Sequence, residues 1–237
     1  MEYIEARYRL KIFHPRNDTV RKKNRFCILS NHRILTSDFF IHGAFMDDTK
    51  NIIMVGVGGQ GIILASELLS EAALLAGYDV RKSEVHGMAQ RGGSVSSHVR
   101  FGKRVLSPLI EMGRADIMLA FEKAEGLRAC PYLKKGGVII MNDIEIVPTT
   151  VSLGMGTYPS GIPDILRGLG FEVVLVDAQE KAKRAGTVKA ANVVLLAALA
   201  SFLDIGKDIW TEVIGRRVPK KFLDVNLEAF QLGYGEV

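Results

Sequence analysis

From Asn51 onward, apolar and polar positions switch between two periods. The run "NIIMVGV" (51–57) is continuously apolar and predicts a buried strand, while "GIILASELLSEAALLAG" (61–77) carries apolar residues at helical spacing. "YDVRKSEV" (78–85) predicts a second strand. Together they predict a βαβ unit, with Gly77 closing the helix and the crossover leaving its two strands parallel and adjacent. "SVSSHVRFG" (94–102) alternates with period two, and "ADIMLAFE" (115–122) predicts a further strand. A helix through "AEGLRACPYLKKGG" (124–137) leads into the strand "GVIIMND" (137–143). After a loop come a short helix "PDILRGLG" (163–170) and a strand "FEVVLVDA" (171–178). Helical stretches at 179–185, 189–203 and 207–232 follow, the last broken near Pro219. This order predicts an α/β fold, a Rossmann-like sandwich with a mostly parallel sheet and helices on both faces.

The first 45 residues have neither period. They are expected to form an N-terminal extension, disordered or a product of start-site choice, because "MDDTKNIIMVGVGGQG" from Met46 reads like a protein start. Residues 46–237 are expected to form the main domain. The richest apolar run, "ANVVLLAALASFL" (191–203), is shorter than the roughly 18–20 residues of a spanning helix and predicts a buried one. The extension also lacks the apolar stretch and cleavage site of a signal peptide. No membrane association is expected, and a cytoplasmic location fits.

Charge changes the picture less than its sum suggests. The net charge is +5, but residues 1–45 hold 9 Lys/Arg against 4 Asp/Glu, so residues 46–237 balance at 22 of each. A basic scaffold on nucleic acid is therefore the weakest reading, since the main body is neutral and its cations are not interleaved with aromatics. Cys27 and Cys130 form no disulfide framework and no metal-ligand spacing; no metal site or cluster is expected, and Cys130 reads as a small half-buried residue in a reducing compartment.

Two glycine clusters carry the candidate chemistry. "GVGGQG" sets Gly56, Gly58 and Gly61 in GxGxxG register after a strand and at the head of a helix. The glycines would permit a tight turn, close approach of an anion, and close helix packing. The alternative is a tight turn with no ligand. Glu84 lies at the end of the second strand, where dinucleotide-binding proteins place a ribose-binding carboxylate, so a freestanding NAD- or flavin-binding oxidoreductase is a competing reading. The second cluster, "HGMAQRGG" (86–93), sets Arg91 beside Gly92 and Gly93: a bidentate anion binder next to backbone that a ligand or another subunit can approach. His86 could be a base or a hydrogen-bonded loop histidine, and His98 within its strand reads as structural. No residue is singled out as catalytic.

"MVGVGGQGIILASELLSEAALLAGYDV" joined to "SEVHGMAQRGGSVSSHVRFG" resembles the gamma-type subunits of the 2-oxoacid:ferredoxin oxidoreductases, over about residues 50–235. "HGMAQRGG" points to the indolepyruvate branch and its small, beta subunit. The resemblance implies oxidative decarboxylation of a 2-oxoacid with coenzyme A to an acyl-CoA, carbon dioxide and reduced ferredoxin. It also implies a large alpha subunit holding thiamine diphosphate, magnesium and 4Fe-4S clusters, with no cofactor on this chain alone and ferredoxin as acceptor. Gly56, Gly58, Gly59, Gln60 and Gly61 match the family's first turn, and Ser83, Glu84, Gln90, Arg91, Gly92 and Gly93 its second loop. Their implied role is a wall of the active site or coenzyme A entry. Lys189 and Asn192, before a buried helix, are secondary candidates whose alternative role is to start and cap that helix.

Overall fold

The computed structural model describes residues 49–86 and 93–235. The expectations for the N-terminal extension and for Gln90, Arg91 and Gly92 lie outside the described residues. Strand β1 (Lys50–Val57) enters helix α1 (Ile62–Leu75), and β2 (Asp79–His86) and β3 (Ser94–Gly102) follow. Then come β4 (Ala115–Ala120), α2 (Lys123–Ala129), β5 (Leu133–Asn142), α3 (Thr149–Ser152), α4 (Ile162–Gly168) and β6 (Glu172–Val176). Helices α5 (Ala178–Ala185), α6 (Ala191–Ala200), α7 (Lys207–Arg217) and α8 (Leu223–Gly233) complete the described chain.

The strands form one sheet in the order β2-β3-β1-β4-β5-β6. The pairs β1/β4, β4/β5 and β5/β6 are parallel, whereas β3 is antiparallel to both β1 and β2. The expected adjacency of the first two strands is thus corrected: β2 runs parallel to β1 but lies one strand beyond it. The reason is polarity. Residues of β3 are buried along most of its length, as a flanked strand requires, while β2 carries Asp79, Arg81, Lys82 and Glu84, charges that an outer edge tolerates.

Side chains alternate between two cores. Ile52, Met54, Leu119 and Ile140 face the layer of α1 and α5 to α8, and Ile53, Val55, Met118 and Ile139 face α2 and α4. Every residue of α6 is buried, as its unbroken apolar run predicts. A second correction concerns the helix expected over 124–137. It stops at Ala129 because Pro131 has no amide to continue it, and a short 3-10 turn, Cys130–Tyr132, delivers Leu133 straight into β5.

Candidate functional site

The first glycine turn lies at the carboxyl edge of the sheet, against Gly93, the last residue of the second cluster. Where β1 ends, the amide of Gly58 donates to the carbonyl of Gly93, 2.8 Å away, so the first turn is bonded to the end of the second cluster. Gln60 fixes the turn from within. Its Oε1 accepts from the Val57 amide at 2.7 Å, and its Nε2 donates to the Phe121 carbonyl at 2.8 Å. A Cβ on Gly56 would lie 2.6 Å from Gln60 Oε1 and 2.7 Å from Phe121 Cβ, which explains glycine there.

The turn leads into the start of α1. Gly61 precedes α1 in the left-handed region (φ 80°), without a side-chain cap and with no acidic residue in the helix's first turn. The first amides and the positive end of the helix dipole are therefore not satisfied by a capping side chain. Gly59 sits at φ 103°, and among the described residues, its chain neighbours aside, no atom lies within 4 Å of where a Cβ would stand. Helix α1 leaves β1 toward one face and α2 leaves the adjacent β4 toward the other, which makes this edge a topological switch point, the usual place of a crevice in open α/β sheets.

Asn192 joins this turn. Its side chain is buried, with Nδ2 3.5 Å from the Gly61 carbonyl and 2.6 Å from the position of a Cβ on Gly61. Lys189 belongs to a neighbouring feature, a partly open groove of about 430 Å³ on the α1 flank, also lined by Leu64, Asn192, Arg217 and Phe222. The Lys189 amide donates to Thr187 Oγ1 at 3.4 Å, so its backbone starts the 3-10 turn that precedes α6.

Ser83 and Glu84 are placed differently from the sequence expectation. Glu84 pairs in register with Ser97, which lies opposite Met54 in the middle of β1. It is thus two strands from the glycine turn's strand, roughly 10 Å sideways at ordinary strand spacing, and Lys82 Nζ sits 2.6 Å from its carboxylate. The ribose-binding geometry of a dinucleotide fold requires its carboxylate on the strand next to the turn, so that role does not fit Glu84. Ser83, one residue earlier, lies on the opposite face beside His98. His98 is structural, as read from the sequence: it is buried, its Nδ1 accepts from the Ile110 amide at 3.2 Å, its ring meets Tyr132 edge-on, and burial holds its pKa below the ordinary value.

Two carboxylates that sequence reasoning missed organise the same edge. Glu122 follows β4 and is buried; its Oε2 caps α2 by accepting from the Glu125 amide at 2.9 Å. Its Oε1 accepts from the Ile146 amide at 3.2 Å and from the Tyr158 hydroxyl. Burial, reinforced by that carboxylate, pushes the Tyr158 phenol well above its usual range, so Tyr158 is a donor throughout the physiological range. Glu125 accepts from Ser94 Oγ at 2.6 Å and from Arg128, tying the first residue of β3 to α2. The only local signal was the spacing E-x-x-E at a helix start, a variant of a capping box.

Cys130 is half-buried, with its thiol pKa raised by burial, and no group of three or more His, Cys, Asp or Glu side chains among the described residues could hold a metal ion. No helix of the described chain is long and apolar enough to cross a membrane.

The family model described as pyruvate ferredoxin/flavodoxin oxidoreductase matches residues 51–236. The chain is 47% identical to indolepyruvate oxidoreductase subunit IorB of Pyrococcus horikoshii, over 77% of this chain and 93% of that protein. It is 42% identical to the subunit of the same name from Archaeoglobus fulgidus, over 78% and 94%, and 28% identical to the 2-oxoglutarate synthase subunit KorC of that organism, over 78% and 86%. Among solved structures, the gamma subunit of a keto/oxoacid ferredoxin oxidoreductase from Geobacter sulfurreducens superposes with a TM-score of 0.59 at 26% identity, over 78% of this chain and 96% of that one.

Proposed function

Because the chain belongs to the pyruvate ferredoxin/flavodoxin oxidoreductase family, we propose that it is the small, beta-type subunit of an indolepyruvate:ferredoxin oxidoreductase. The observation that carries this reading is the gap in similarity: 38–47% identity to four indolepyruvate oxidoreductase subunits against 26–29% to the 2-oxoglutarate and ketoisovalerate subunits.

In the proposed reaction an aryl pyruvate loses its carboxylate as carbon dioxide, and its acyl carbon forms a thioester with coenzyme A. Two electrons pass to ferredoxin, and one proton is released. Thiamine diphosphate and magnesium would supply carbanion stabilisation, and 4Fe-4S clusters the electron path, from a large alpha subunit. Among the described residues no group of three or more His, Cys, Asp or Glu side chains is placed to hold a metal ion.

What this chain would contribute is a wall. The uncapped start of α1 and the positive-φ backbone of Gly59 suit an anionic group such as a phosphate of coenzyme A, with Gly58 bonded to Gly93 at the end of the second cluster. Arg91, Gln90 and Gly92 are the proposed continuation of that wall. Gln60 and Asn192 act as positioning residues for the turn, and Lys189 is a secondary candidate on its flank.

The test is reconstitution. The isolated chain should oxidise no 2-oxoacid, and mixing it with the large subunit of an indolepyruvate-type enzyme should give coenzyme A-dependent reduction of ferredoxin with indolepyruvate. Turnover by the isolated chain, or no gain over the large subunit alone, would overturn the proposal.

A further inference from the structure

Residues 146–163, "IVPTTVSLGMGTYPSGIP", include no Asp, Glu, Lys, Arg or His in 18 positions. Most of the stretch is nevertheless exposed, and Val147, Leu153 and Met155 are 49%, 68% and 69% accessible. Surface loops on a soluble domain are normally rich in charge, whereas depletion of charge together with exposed aliphatic and methionine side chains marks the centre of a protein interface.

The stretch is held in place rather than merely exposed. Glu122 Oε1 accepts from the Ile146 amide at its start and from the Tyr158 hydroxyl near its end, so one buried carboxylate clamps both shoulders. Tyr158 Oη also accepts from the Ala124 amide at 3.2 Å, at the start of α2. The clamp connects directly to the glycine turn, because Phe121, the residue before Glu122, receives Gln60 Nε2 on its carbonyl and donates its amide to the Val55 carbonyl at 2.8 Å. The uncharged surface therefore flanks the same sheet edge as the candidate site.

We propose that residues 146–158 are the docking face for the large subunit of the same enzyme, seated beside the glycine turn. This rests on the subunit role proposed above. The choice of occupant follows from position and charge. A wall that is completed by another chain must be sealed against water next to the crevice, and an uncharged apolar rim does this without burying unpaired charge. A strongly charged partner would find no complementary group along these residues.

Leu153→Glu and Met155→Glu place a charge on the exposed tips, and Leu74→Glu, at the far end of α1, is a control on an exposed leucine away from this edge. In titration calorimetry with the purified large subunit, the wild-type chain and Leu74→Glu should bind equally. The two glutamate variants should bind at least tenfold more weakly while keeping the wild-type melting temperature when isolated. Equal binding by the two variants would overturn the docking face, as would an equal loss in the control. So would a wild-type chain that self-associates and becomes monomeric on Leu153→Glu, which would make a second copy the occupant. Failure of the wild-type chain itself to bind would instead remove the subunit reading on which the face rests. If a variant does not fold, amide exchange of the wild-type chain decides: protection of 146–158 on adding the large subunit supports the face, and unchanged exchange overturns it.

Discussion

The amide of Gly58 donates to the carbonyl of Gly93, so the turn after β1 and the residue just before β3 hold one another although 35 positions separate them. Gln60→Leu should disturb this junction from below. It removes the acceptor of the Val57 amide and the donor to the Phe121 carbonyl, and stranding such groups costs about 1–3 kcal/mol each. A fall in stability in urea unfolding, with Gln60→Glu intermediate because it keeps the acceptor, is the expected outcome. Wild-type stability in Gln60→Leu would show that the turn does not depend on this side chain.

The second cluster is tested by chemistry. Arg91→Lys keeps the charge and loses the fork-like geometry, and Gly92→Ala adds a methyl where close approach is expected. Both should leave the melting curve of the isolated chain nearly unchanged and lower kcat/KM of the reconstituted complex, Arg91→Lys by about 1–3 kcal/mol. Full activity in an assembled Arg91→Ala complex ends this idea.

His98 predicts a pH dependence of stability. Burial lowers its folded pKa below the ordinary 6.5, so between the two values the unfolded chain binds more protons than the folded one. The contribution is complete above about pH 6.5 and is lost as pH falls through the folded value. Denaturant midpoints measured from pH 8 to pH 5 should decline on the acid side, and His98→Asn should flatten that decline while lowering the plateau.

Much of the fold could be read from local pattern. The apolar run of β1, the helical period of α1 and the alternation of β3 are set within a few residues of each element. Strand order was not local: whether β2 or β3 lies beside β1 depends on which tolerates two neighbours, and the charges of β2 decide it only once both are compared. In the candidate site, the glycine turn was legible because glycine alone suits its geometry. Glu122 and Glu125 were not, because their partners Ser94, Ile146 and Tyr158 lie 24 to 36 residues away in sequence.

We propose that residues 46–237 carry the whole fold. A chain beginning at Met46 should unfold cooperatively, assemble with the large subunit and have a calculated net charge of zero in place of +5. Loss of its cooperative transition would place residues 1–45 in the folded core.

Helix α8 lies close against α6: a Cβ on Gly233 would lie 2.3 Å from the Val194 carbonyl oxygen and 2.9 Å from Ala197 Cβ. Gly233→Ala should therefore destabilise the chain by about 1–3 kcal/mol, as overpacked cores do, visible as a lower melting temperature. A melting temperature equal to wild type would mean that the two helices can separate without loss.

The full burial of α6 also sets a limit on truncation. Its ten residues have no solvent-facing side, and α8, which follows it in the chain, is among the elements packed on it. A chain cut before Leu223 would therefore carry an apolar helix with one side uncovered, a surface that favours aggregation over a soluble fragment.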